Sequence, residues 1–183
     1  MSTNAAFADG VPAVPCGLLP GERSAPHAHR APTGSPDDDL ARWYAEQRRW
    51  PARRDAQGRL WLEAGADFDV IDVPREAGRQ AVRRLIGYGQ AALTPGPVAS
   101  AEPDRCRFFV APGARDDLPE LLDWLDWGGI DLGMRALGAG DRLPAPARDR
   151  WLHDPLAVPP EVIALLATIA ESCSRYALTR RSG

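Results

Sequence analysis

Phe68-Asp69-Val70-Ile71-Asp72-Val73-Pro74-Arg75-Glu76-Ala77-Gly78 joins an almost wholly apolar run to a charged, helix-forming one. A short apolar run of this kind fits a central strand covered on both faces. Pro74 ends it. From Arg75 to Tyr88 the spacing predicts a helix with Ala81, Val82 and Leu85 turned inward, ended by Gly87 and Gly89. Upstream, Ser35-Pro36-Asp37-Asp38-Asp39 reads as a helix start, with a serine cap, a first-turn proline and acids at the positive end of the dipole. Leu40, Trp43, Tyr44 and Gln47 come next on that helix, and Arg59 to Leu62 reads as a strand. Downstream, Pro97 to Ala99 and Arg105 to Ala111 read as strands, and Asp116 opens a helix bearing Leu118, Leu121, Leu122 and Leu125. Ile130 to Leu132 and Arg142-Leu143 are short strands parted by the Gly138-Ala139-Gly140 turn, and a last helix runs from about Pro160 to Tyr176. Strand pairs alternating with helices predict an α/β (α+β) fold, a mixed sheet with flanking helices. A split βαβ arrangement accommodates that order.

The length, 183 residues, suits one domain. Residues 1–34 are rich in Pro, Ala and Gly and read as a mobile arm. Residues 35–178 form the predicted domain and 179–183 a tail. All 22 basic residues are arginine, which excludes Schiff-base chemistry on a side-chain amine and a P-loop lysine. Phosphate recognition must then use arginine, backbone N–H groups or a metal. A net charge of −3 argues against strong non-specific nucleic-acid binding while leaving a local basic face open. No apolar run approaches a membrane span, and no basic-then-apolar leader opens the chain. Three widely spaced cysteines, Cys16, Cys106 and Cys173, suggest free thiols in a cytoplasm. Oligomeric state is not encoded in any motif.

Candidate chemistry centres on Asp72. An acid at the end of a buried strand, before a helix, is a recurrent metal position. Its usual i+2 partner would share its face, yet Pro74 occupies that place. Asp69 falls on the other face of a regular strand. The alternative for Asp72 is a strand-end acid capping the next helix. Arg79, Arg83 and Arg84 lie on that helix, and Arg48, Arg49, Arg53 and Arg54 surround Trp50. Either group could meet phosphates, with Trp50 as a stacking surface, or could simply face water beside acids. Cys106, flanked by Arg105 and Arg107, is either an activated thiol or a buried small hydrophobe. Trp124 and Trp127, within Leu121-Leu122-Asp123-Trp124-Leu125-Asp126-Trp127, are either core or a partner surface.

These pieces, in this order, resemble the N-terminal domain of bifunctional primase–polymerases, in the archaeo-eukaryotic primase superfamily. The likeness rests on Trp43-Tyr44, the Asp72 strand and its turn, Gly96 to Ala99, Arg105 to Phe109, Gly129 to Leu132, Gly138 to Gly140, Leu143 to Pro146, Arg150-Trp151 and Pro155. It spans roughly residues 36–160. The resemblance implies a sheet with an RRM-like core and metal-dependent nucleotidyl transfer. It maps Asp72 onto the first catalytic acid and Asp131 onto the third. Pro74 replaces the second acid, and Cys106 stands where the family has a histidine. Cys16, His27 and His29 are too few and too irregular for its zinc element.

The resemblance and its gaps together imply a catalytically degenerate primase–polymerase-like domain, a nucleic-acid- or nucleotide-binding or regulatory module of a bacterial cytoplasm. It needs no cofactor; Mg²⁺ or Mn²⁺ at Asp72 and Asp131 enters only if catalysis survives. Two rivals stand beside it. One is a living DNA primase or polymerase whose metal site Asp69 or Glu63 helps rebuild. The other is a protein-interaction scaffold, favoured by the acidic balance and the tryptophans. The expected partners are thus DNA, a nucleotide or a protein, and not a membrane.

Overall fold

The structure, a computed structural model, describes residues 35–87 and 94–181. The arm assigned to 1–34, with Cys16, His27 and His29, lies outside the described residues, as do Gly89 and the end of the tail.

Helix α1 (Pro36–Trp43) begins where its cap residues place it. Ser35 accepts from the Asp37 N–H at 3.3 Å, and the Asp38 carboxylate accepts from the Ser35 N–H at 3.1 Å. The helix widens into a π-turn over Tyr44–Arg48 and ends at Arg49, whose φ of 58° turns the chain back. Strands β1 (Arg53–Arg54) and β2 (Leu60–Glu63) come next, then β3 (Asp69–Pro74) and α2 (Arg75–Gly87). After β4 (Val98–Ala101) and β5 (Arg105–Val110) come α3 (Ala114–Trp124), β6 (Arg135–Leu137), β7 (Arg142–Pro144), β8 (Trp151–His153) and α4 (Val162–Arg181).

The α+β content matches the sequence reading. The single mixed sheet does not: the strands form two sheets, and every pairing in them is antiparallel. The larger has the order β6-β3-β5-β4-β8, and the smaller β1-β2-β7. Alternating hydrophobicity cannot tell parallel from antiparallel neighbours; the chain crossings decide that. A second correction concerns Ile130–Leu132, which is not extended. Gly129 and Gly133 take φ values of 72° and 62°, and the Asp131 carboxylate accepts from the Gly133 N–H at 2.9 Å, so a turn replaces the strand. The edge strand begins only at Arg135.

Strand β3 runs through the middle of the larger sheet and is buried from Asp69 to Val73. Its two faces do different work. Ile71 and Val73 join Cys106, Phe108 and Val110 of β5 in a core closed by α2, α3 and α4. There α2 approaches β5 so closely that a Cβ on Gly78 would lie 2.4 Å from Cys106 Cβ. Helix α4 is long and apolar enough to cross a membrane by length and composition; here Leu165, Leu166, Ile169, Ala170 and Cys173 are fully buried in this core. On the other face Val70 and Phe109 join Tyr44, Trp50, Leu62, Phe68 and Leu143 in a second core. That core covers only the end of the face that carries Val70. The end that carries Asp72 is left to polar groups.

Asp69 shows how the fold uses a buried carboxylate. Its Oδ2 accepts from the backbone N–H groups of Gly113 and Arg115, each at 3.0 Å. A side chain from the middle of the sheet thereby caps α3, which starts at Ala114, ahead of the Asp116 start read from sequence.

Candidate functional site

Strand register assembles the site. Asp72 pairs with Arg107 of β5 on one side and with Arg135 of β6 on the other, and Pro74 pairs with Arg105. Alternation puts these side chains on the face away from α2, α3 and α4. Asp72 is 1% exposed. Its Oδ1 accepts from Arg105 Nε, while Oδ2 lies 3.3 Å from Arg107 Nε and 3.5 Å from Arg135. Arg105 is held further by the Asp72 and Gly133 carbonyls, each at 2.8 Å. Three guanidiniums thus share one carboxylate, and two positive charges remain uncompensated.

Beside Arg107 opens a cleft of about 240 Å³, lined by Ser100, Glu102, Arg107, Arg150 and the segment Pro144–Ala147. Tyr44 steadies that segment through a hydrogen bond from its hydroxyl to the Pro146 carbonyl, at 2.6 Å. The Ser100 hydroxyl donates to the Arg150 carbonyl at 3.1 Å, and the Arg150 guanidinium meets Glu102 at 3.0 Å. Arg75 holds the β4–β5 turn by donating to the carbonyls of Ala101 and Pro103. The result is a cationic patch at the mouth of a small cleft with a proline- and alanine-bearing wall. Guanidinium groups on a rigid sheet suit phosphate or carboxylate oxygens.

Compared with family models, curated proteins and solved structures, the chain matches none.

The residues at Asp72 do not fit a divalent cation. Both carboxylate oxygens already serve guanidiniums, whose charge repels a metal. Among the described residues no three His, Cys, Asp or Glu side chains group as metal ligands. Asp131, the other implied ligand, is exposed and closes its own turn onto Gly133. The two residues expected to rebuild a metal site are also elsewhere. Asp69 caps α3 on the opposite face, and Glu63 pairs with Arg53 and Arg142 on the small sheet.

Three further alternatives left open by the sequence are decided. Trp50 is not a stacking surface: it is 4% exposed, with ring centroids 4.2 Å from Phe68 and 5.1 Å from Phe109, and Arg48 covers it at 3.6 Å. Arg79, Arg83 and Arg84 belong to α2, which packs on the other side of the sheet from Asp72. Arg83 reaches Glu76 of its own helix, and Arg84 meets Glu171 of α4 at 2.5 Å, while Arg79 is exposed. Cys106 faces α2 rather than Asp72. Burial, followed by the Asp72 charge, pushes its thiol up to about 12, so its flanking arginines do not activate it.

The sequence does not single out Arg105, Arg107 and Arg135 as ligands. Alternation about Cys106 puts Arg105 and Arg107 on one face, and that signal is readable. Nothing local places Arg135 opposite Asp72.

Proposed function

We propose that this chain is a non-catalytic, primase–polymerase-like binding module. It holds a phosphate-bearing ligand, a nucleotide or single-stranded nucleic acid, against the Arg105–Arg107–Arg135 face. The observation that carries this reading is the state of Asp72, a buried acid neutralised by three arginines with charge left over. In that setting the acid organises guanidiniums for an anion. The adjoining cleft offers the Arg150 N–H donors that its Glu102 pair leaves as further contacts.

Two measurements test it. A fluorescein-labelled single-stranded oligonucleotide, followed by anisotropy, should bind at low salt. If about three phosphates are neutralised, affinity falls roughly a hundredfold over a tenfold rise in salt. Arg135→Ala, at an exposed position, should weaken binding and flatten that slope. Primer extension with Mn²⁺ should give no incorporation. Incorporation that disappears in Asp72→Ala would overturn the proposal in favour of a working polymerase, and absence of oligonucleotide and nucleotide binding would remove it altogether.

A further inference from the structure

The C-terminal end of α3 carries a feature that the arginine face leaves unused. Trp124 is 71% exposed there, and Ile130, in the next turn, is 50% exposed. The turn itself is firmly seated. Trp127 packs against the helix-face core, and its N–H donates to the Leu122 carbonyl at 2.8 Å. Trp124 is therefore held outward on ordered backbone.

Its surroundings have one sign of charge. Asp116, Asp117, Glu120, Asp123, Asp126 and Asp131 are all exposed, and no basic residue occurs between Asp116 and Asp131. None of the six forms an ion pair with another described residue. Arg115, the nearest cation before them, is committed to Asp141 at 2.6 Å. The last turn of α3 has no basic side chain, although the negative end of the dipole lies there beside Asp123 and Asp126. Both would be stabilised by cations from outside. Tryptophans elsewhere in the chain suggest which cation. Arg48 lies over Trp50 at 3.6 Å, and Arg59 over Trp61 and Arg148 over Trp43 each at 5.5 Å. Among the described residues, no guanidinium covers the far more exposed Trp124.

We propose that the Trp124–Ile130 surface docks an arginine- or lysine-rich segment of a partner protein. A guanidinium stacks on the Trp124 ring, its aliphatic stem lies along Ile130, and neighbouring cations meet Asp123 and Asp126. The acidic rim also repels nucleic acid, so this surface and the arginine face take ligands of opposite charge.

The probe is a fluorescein-labelled nona-arginine peptide, titrated with the full chain at low salt. It should bind, and Trp124→Ala, which leaves the net charge unchanged, should weaken it about tenfold. Asp123→Asn/Asp126→Asn should weaken it comparably and flatten the salt dependence. Asp67→Asn/Glu161→Gln removes the same charge from exposed positions outside the Asp116–Asp131 segment and should change affinity less than twofold. Equal losses in the two charge variants, or no loss in Trp124→Ala, would reduce the effect to the net charge of the chain and overturn the proposal. Sedimentation velocity of the chain alone covers the other occupant. Self-association abolished by Trp124→Ala would make a second copy the partner, and would equally overturn it. Arg135→Ala should leave peptide binding intact, so a failure here is separate from a failure at the arginine face.

Discussion

Asp72 is an acid whose role depends on what its neighbours bring. Alone on a strand end, it has the chemistry of a metal ligand. Between Arg105, Arg107 and Arg135 it becomes the anion that lets three guanidiniums share one face. Removing such a buried carboxylate leaves its partners uncompensated, which costs about 3 kcal/mol where they retain some solvent. Asp72→Asn should therefore lower the stability measured in urea by about that amount. The same substitution raises the local positive charge, so oligonucleotide affinity at low salt should rise severalfold. A catalytic acid behaves differently, since its loss removes activity without improving binding. Asp69, three residues earlier, is legible as facing the other way. Its capping of α3 is not, because the partner N–H groups, at Gly113 and Arg115, follow a neighbouring strand more than forty residues on in sequence.

At the level of elements, the π-turn and β2 show why aromatic residues near arginine need not contact bases. Tyr44–Arg48 and the left-handed Arg49 swing Trp50 under the sheet, where Phe68 and Phe109 enclose it. Its ring belongs to the second core. Trp50→Ala should lower stability by about 3–5 kcal/mol, the range for a buried aromatic, in chemical denaturation. Oligonucleotide affinity per folded molecule should stay within twofold of the parent. Loss of binding without loss of stability would return Trp50 to the ligand. Helix α2 makes the same point with charge. Arg79, Arg83 and Arg84 come soon after Asp72 in sequence, yet Pro74 ends the strand and α2 folds back across the far side of the sheet. Proximity along the chain here means separation by a whole layer.

Across the whole molecule, both faces of the larger sheet bury groups that ionise at high pH. Cys106 and Cys173 lie in the helix-face core, and burial pushes both thiols up from 9.0 to about 12. Tyr44, in the other core, is pushed up by burial as well, against a smaller opposing effect from Arg48. The folded chain thus keeps protons that the unfolded chain releases. Stability is complete below pH 9 and falls as pH rises from about 9 towards 12. Thermal unfolding followed by circular dichroism should show Tm constant from pH 7 to about 9 and declining above it. In a Cys16→Ala background, the two buried thiols should react with Ellman's reagent only as the chain unfolds. Rapid labelling of the native chain at neutral pH would contradict the burial that sets this window.

The sequence by itself determined which segments are helices and strands over most of the described chain, since hydrophobic period, caps and glycine turns are local properties. It also determined that Asp69 and Asp72 face opposite ways, and that lysine chemistry is absent. The antiparallel pairing, the division into two sheets and the union of Arg107 and Arg135 about Asp72 were decided only by tertiary structure. They depend on which strands become neighbours and in what register. That is a property of chain crossings and shared burial over long sequence separations, and no local pattern carries it.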